Sequence, residues 1–350
     1  MAKAIGRGRG PTIIDVARVA GVSKMTVSRV INNEAGVRDG TRKAVLAAIR
    51  TLNYEPNIAA RTLVTAGEAR VGVVYSNPSA AFMSDFLIGV FEEAAAKGVR
   101  LTLVKGEDGL APPEAELRRM AQGVDGVVLA PPLGELPAIR QVLSDAHLPT
   151  AVVAVGQPTG EGISVRIDDW QASHDMARHL LSLGHRRIGF IAGNPDQSSS
   201  ALRLEGCRAA VDATPGAELI IAQGAFSYTS GLRAAEWLLD EACPPTAIFA
   251  SNDDMAAAAV SVAHRRHLDV PRDLTVVGFD DTTVATTLWP PLTTIRQPVR
   301  QMAATALELL MGAIRNGAPA AGDHLLSHAL VERQSTAPPN RARAPAPALS

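Results

Sequence analysis

From Val71 onward, nine short runs rich in β-branched residues interleave with amphipathic stretches of helical period. VGVVY precedes a helical pattern over 82–97, VRLTLV one over 113–122, and GVVLA one over 136–146. TAVVAV and ISVRI lead to a helix over 170–183, RIGFIAG to 202–211, and ELIIA to 230–241. TAIFAS and 255–267, then LTVVGFDD and 299–315, complete the series. Strands alternating with helices imply parallel pairing, because each crossover lays a helix on a sheet face. This many strands predict two such sheets, with a ligand cleft near their carboxyl ends.

The amino-terminal segment follows different rules. TIIDVARVAGVSKMTVSRVIN holds two short apolar-periodic stretches joined by Ala20-Gly21-Val22-Ser23. Thr12 and Ser23 are N-cap residues for the two stretches, and Asp15 lies where a carboxylate meets the first exposed amides. Gly21 tolerates the positive φ that a tight turn demands. Two helices around such a turn make a helix-turn-helix, whose second helix enters a DNA major groove. That helix opens Lys24-Met25-Thr26. A third helix follows, with Val45, Ile49 and Leu52 recurring on one side to cover the other two. A short helical candidate, Ile58-Ala59-Ala60-Arg61-Thr62-Leu63-Val64, begins near Pro56 and is too short to be stable alone.

Charge supports the division. Through Arg70 there are 12 Lys+Arg and 5 Asp+Glu, a balance of +7, and the remainder is 22 minus 30, or −8. A basic head on an acidic body suits an anionic polymer docking at one end. The two cysteines, Cys207 and Cys243, read as thiols rather than a disulfide and are too few for structural zinc. No signal-peptide pattern or bilayer-spanning apolar run is read, so the expected location is the cytoplasm.

In DVARVAGVSKMTVSRVIN, TRKAVLAAIRTLNYEPN with AARTL, HLLSLGHRRIGFIAG, SNDDMA, and LTVVGFDD followed by PPLTTIRQP, the chain resembles the lactose/galactose repressor family of bacterial transcription regulators. The resemblance covers roughly residues 12–336. It implies an all-α helix-turn-helix domain joined to an α/β, two-lobed, periplasmic-binding-protein-like effector domain of parallel sheets. The expected boundaries are a basic arm at 1–11, the DNA-binding domain at 12–56, a hinge helix and linker at 57–68, and the effector domain at 69–336. Its lobes are expected at about 69–166 with 294–325 and 167–293 with 326–336, before a disordered tail at 337–350.

The resemblance further implies a homodimer reading a pseudo-palindromic operator, with Lys24, Met25 and Arg29 at base-reading positions. Lys24 or Arg29 can donate to guanine, Met25 can touch a thymine methyl, and Thr26 and Ser28 can meet phosphates or cap amides. The alternative for Lys24 and Arg29 is a solvated charged face. Thr12, Ser23, Asn32, Asn57 and Ala60 complete the expected DNA set, with Leu63 as the wedge that kinks the duplex from the minor groove.

For the body, the resemblance implies a small effector, most often a carbohydrate, held by Ser76, Arg203, Asn252 and Asp280, with Phe226 as a stacking platform and Phe82 as a weaker contact. Asn252 and Asp280 could instead cap strand-end turns. PTAVVAVGQP carries Ala154, Val155 and Gly156 where many relatives place an effector-binding acid, so the effector's identity does not transfer. Neither cofactor nor metal is expected. The carboxylate pairs Asp253-Asp254 and Asp280-Asp281 admit a glycosidase reading but more often form turns. The remaining alternatives are a regulator that needs a co-repressor or answers to no sugar, and a sugar-binding or sugar-processing protein without a genomic role.

Overall fold

The computed structural model describes residues 12–31, 38–52, 69–107, 109–158, 160, 162–317 and 320–340, without the side chains of Ile13, Ser28, Ile31 and Asp39. The chain divides into two compact units, with the boundary after residue 67.

In the first unit α1 (Ile13–Ala20), α2 (Lys24–Ile31) and α3 (Asp39–Leu52) enclose a small core of Val16, Ala17, Val27, Val30, Val45 and Ala48. Ile49 and Leu52 pack at its margin, which is the stripe expected for the third helix. The turn between α1 and α2 rests on Gly21, whose φ of 66° and ψ of 31° are left-handed. A Cβ there would meet nothing within 4 Å, so conformation rather than space demands glycine.

The second unit holds two sheets. The first contains β1 (Arg70–Tyr75), β2 (Arg100–Lys105), β3 (Gly126–Leu129), β4 (Thr150–Val153), β5 (Gly162–Arg166) and, from far along the chain, β11 (Ala321–Leu325). Its strand order is β11-β5-β4-β3-β1-β2, with every pair parallel. The helices α4 (Ala80–Lys97), α5 (Glu114–Ala121) and α6 (Pro137–Asp145) connect its strands.

The second sheet contains β6 (Arg187–Ala192), β7 (Glu218–Gln223), β8 (Ala247–Ala250), β9 (Thr275–Asp280), β10 (Thr293–Arg296) and β12 (Ala329–Val331). The order is β12-β10-β9-β8-β6-β7, and only the β10–β12 pair is antiparallel. Its helices are α7 (Asp169–Ser182), α8 (Ser198–Asp212), α9 (Tyr228–Asp240), α10 (Asp253–Arg265) and the short α11 (Thr283–Thr287). The long α12 (Val299–Asn316) returns to the first sheet, against α4 and strands β3 to β5. β1, β3, β4, β6, β8 and β9 are almost wholly buried, as strands with helices on both faces must be.

Two boundaries differ from expectation. The segment 294–296 belongs to the second lobe, because β10 continues that sheet beside β9. The stretch to Asn340 is also held to the body: the Ala337 carbonyl accepts from His185 Nε2 at 2.9 Å and from Thr275 Oγ1 at 3.0 Å. Those two buried polar side chains need the carbonyl as a partner, so residues 337–340 extend the domain. The chain therefore crosses between lobes three times, after β5, after β10 and after β11.

Candidate functional site

On the head, the turn presents α2 by its first residues. Ser23 Oγ accepts from Thr26 N at 3.2 Å and shares a 2.9 Å hydrogen bond with the Thr26 hydroxyl, capping the helix. Val27 and Val30 face the core, which leaves Lys24, Met25 and Arg29 outward. Met25 is 67% exposed, so its thioether side chain is available to a docking surface. At the start of α1, Asp15 Oδ2 accepts from Thr12 N at 3.0 Å and from Thr12 Oγ1 at 2.7 Å, while Arg18 pairs with the other oxygen at 2.9 Å. Those Thr12 bonds, ahead of Arg18's charge, hold the Asp15 carboxyl below its ordinary range. Asn32, Asn57, Ala60 and Leu63 lie outside the described residues, as does the side chain of Ser28.

In the body, a polar cleft lies just past the carboxyl ends of the strands, where both sheets point toward each other. Phe82, Arg203, Phe226, Asn252 and Asp280 all line it. Arg203, 4% exposed, is its only cationic lining residue among the described residues. Its Nε donates to Asp169 Oδ1 at 2.7 Å and its Nη1 to the Ser251 carbonyl at 2.7 Å, with Asp280 Oδ1 3.7 Å away. The guanidinium carbon lies 3.7 Å from the Phe279 ring centre and 5.8 Å from that of Phe226. The cation is thus fixed between two carboxylates and two aromatic faces.

Burial lifts both of those carboxyls above their ordinary range. Asp169 is drawn back by Arg203; Asp280 is drawn back by Arg203 but raised again by the charge of Asp253. Backbone strain concentrates at the same place, since Ala154, Phe226 and Asp280 have φ of 54°, 58° and 113°. Such conformations persist only where the surroundings enforce them, and they cluster at ligand clamps.

Several side chains have structural duties. Asn252 caps α10, accepting from Met255 N at 3.0 Å, and donates to the Phe226 carbonyl at 2.9 Å. It lines the cleft while fixing the residue that carries the Phe226 ring. Asp253 accepts from Thr282 N at 2.7 Å, Thr282 Oγ1 at 3.1 Å and Thr294 Oγ1 at 2.7 Å. Asp281 is bound by Arg296 at 2.6 Å and Arg333 at 2.5 Å. Both acids brace the crossing after β10.

Ser76 stands apart from the expected set. It is buried outside the cleft lining, and its hydroxyl accepts from Gly109 N at 2.8 Å. The chain turns immediately after β1, so Ser79 reaches the cleft instead. Asn77, Gln197, Ser199 and Gln297 also line it and were not singled out from the sequence. For Asn77 and Ser79 a signal exists: Asn-Pro-Ser before a helical pattern is a capping sequence. Asn77 Oδ1 indeed accepts from Ser79 N at 2.8 Å, and Ser79 Oγ from Phe82 N at 3.2 Å. Gln297 donates through Nε2 to Asp280 Oδ1 at 2.5 Å, and its buried Oε1 has no partner among the described residues.

A helix-turn-helix head with an outward reading helix, and a body whose two lobes close on a polar cleft, define a DNA-binding regulator with a ligand-sensing domain. Residues 12–57 match the family described as bacterial regulatory proteins, lacI family, and residues 177–336 the periplasmic binding protein-like domain. The HTH-type transcriptional regulator DegA of Bacillus subtilis is 34% identical over 338 residues, 94% of this chain and 99% of DegA. The solved complex of the transcriptional regulator CelR with cellobiose is 33% identical at a TM-score of 0.69, covering 93% of this chain and 99% of that one. The lac repressor dimer bound to operator and the anti-inducer ONPF is 30% identical at a TM-score of 0.67, covering 94% and 100%. The chain belongs to the lacI family of transcriptional regulators.

Proposed function

We propose that this chain is a dimeric repressor that reads a pseudo-palindromic operator through Lys24, Met25 and Arg29 and changes its grip when a small neutral carbohydrate occupies the cleft. The observation that carries the effector class is the state of Arg203. As the only cation lining the cleft among the described residues, it is already met by Asp169 at 2.7 Å and approached by Asp280 at 3.7 Å. A phosphorylated or acidic ligand would find no uncommitted positive charge there, and burying an unpaired anion is costly. Hydroxyls suit the remaining groups: the Ser79 and Ser199 side chains, the carboxylate of Asp280 and the unpartnered Gln297 oxygen. The Phe82 and Phe226 rings suit the C–H face of a sugar. The cellobiose bound to CelR supports this class of ligand, and the operator-bound lac repressor dimer supports the mode of DNA binding.

In this reading Leu63 acts as a minor-groove wedge on a hinge segment that folds only when two copies meet on DNA. The ligand shifts the balance of two arrangements of the lobes through its different affinity for each. Loss of the specific mode costs about 4–10 kcal/mol at most. The action is on chromosomal DNA in the bacterial cytoplasm.

Calorimetric titration of the full chain with a panel of neutral sugars and their phosphates, with operator affinity measured alongside, tests the proposal. Binding of a neutral sugar that alters operator affinity supports it. Preference for the phosphorylated series, or indifference of operator affinity to every bound sugar, overturns it.

A further inference from the structure

Helix α8 begins without a cap of its own. Its N-cap residue, Gln197, makes no side-chain bond to the first-turn amides; its carbonyl accepts from Ser200 N at 3.1 Å and Ala201 N at 3.3 Å, so the Ser198 amide needs a partner from elsewhere. The amide of Ser198 finds one on the other lobe, where Glu135 Oε2 accepts it at 2.9 Å. Glu135 closes the 3-10 turn Leu133–Glu135 beyond β3. A carboxylate is well suited to the positive end of a helix, and a charged acceptor makes the stronger kind of hydrogen bond.

A second contact lies beside the first. Ser198 Oγ accepts from Gly156 N at 2.9 Å, and Gly156 follows β4 on the same lobe as Glu135. An added Cβ at Gly156 would lie 2.5 Å from both the Ser198 carbonyl carbon and the Ser199 nitrogen. Only a residue without a side chain lets the two lobes approach this closely. Behind it, Arg166 Nη1 donates to the Gly156 carbonyl at 3.3 Å while its Nε and Nη2 hold Asp323 at 2.8 Å each. The Gly156 loop is therefore anchored within its own lobe, and the helix start is the element that docks onto it.

Gln197 and Ser199, the neighbours of Ser198, line the cleft, whereas Glu135 and Gly156 do not. We propose that Glu135 and Gly156 are positioning residues: together they latch the start of α8 across the cleft and hold the lobes in their closed arrangement. The consequence for ligand affinity rests on the cleft being the effector site; the latch itself does not. Opening the lobes strips α8 of its first-turn acceptor, so closure and helix capping are one event.

Hydrogen exchange at the Ser198 amide of the full chain, without added sugar, tests the latch. Glu135→Ala and Gly156→Ala are each expected to speed exchange there about tenfold, one by removing the acceptor and the other by forcing the lobes apart. Glu135→Gln retains an accepting oxygen without charge and should restore about half of that protection on a logarithmic scale. Unchanged exchange in Glu135→Ala overturns the proposal. So does a change spread evenly over the whole body that Glu135→Gln fails to reverse, which would mark a merely structural residue. Titration with cellobiose and with ribose separates the two levels: weakening of about tenfold in Glu135→Ala, with partial recovery in Glu135→Gln, links the latch to ligand affinity. Wild-type protein that binds no member of the neutral sugar panel counts against the effector reading, while the exchange data still judge the latch.

Discussion

Removing the Arg203 guanidinium would leave Asp169 and Asp280 buried without the cation that draws down both of their raised pKa values. Arg203→Ala is therefore expected to abolish the ligand response and also to destabilise the body by about 3–5 kcal/mol, read by denaturant unfolding. A variant of unchanged stability would mean that solvent or rearrangement rescues those carboxyls. On the head, Lys24 is exposed at the first turn of α2. Lys24→Ala should change which base is preferred in the operator half-site by about 1–3 kcal/mol of discrimination, scored by competition among half-site variants. A uniform loss over all sequences would make Lys24 a phosphate contact instead. Residue types at motif positions were informative, but their duties were less so. Asn252 was legible as both ligand contact and cap, and the hydrogen bonds made by its two ends establish the cap. Ser76 and Ser79 are chemically equal in the sequence; the turn after β1 separates them.

The turn joining α1 and α2 depends on one left-handed residue. Gly21→Ala should lower the stability of the head by about 1–2 kcal/mol, because φ near 66° brings any Cβ toward the following carbonyl. Thermal melts followed by operator binding would register it, and an unaltered midpoint would show that the turn relaxes. His185 plays a comparable role for the final stretch, pairing with Thr246 Oγ1 at 2.8 Å and the Ala337 carbonyl at 2.9 Å. Burial holds its pKa below the ordinary 6.5, outweighing the bond to Ala337. The unfolded chain thus takes up a proton before the folded one does. The stability advantage of wild type over His185→Gln should be full above about pH 6.5 and shrink below it, by at most about 1.4 kcal/mol per pH unit. An advantage that grows on acidification would contradict the buried neutral imidazole. Among strands, β10, β11 and β12 escaped the sequence reading. TTIR, AGDHL and ALV are short, and β11 and β12 are mostly exposed edges, so they lack the apolar runs of the central strands. They are strands because completed sheets supply neighbours to pair with.

At the scale of the molecule, charge is partitioned between a +7 head segment and a −8 remainder. Association with DNA should therefore be driven by phosphate contacts of the head. Operator affinity is expected to fall by on the order of a thousandfold between 50 and 200 mM salt if about six phosphates are neutralised. Fluorescence anisotropy over that range measures it, and a flat profile would remove the electrostatic docking argument. The nearly neutral total gives no hint of this, since the signal lies in the distribution along the chain.

Periodicity, turn residues and charge order were enough to define a three-helix head and two parallel sheets, because these depend on interactions a few residues apart and on a strand-helix rhythm that few topologies satisfy. The resemblance carried most of the cleft-lining residues it named, while Ser76 moved away and Gln297 joined. What tertiary structure alone decided were the crossings between lobes, the neutralisation of Arg203 by Asp169, 34 positions earlier, and the capping of Ser198 by Glu135, 63 positions away. Those contacts join residues that no local pattern relates. They exist because the two sheets bring their carboxyl ends face to face, where buried charges and uncapped amides must find partners across the gap.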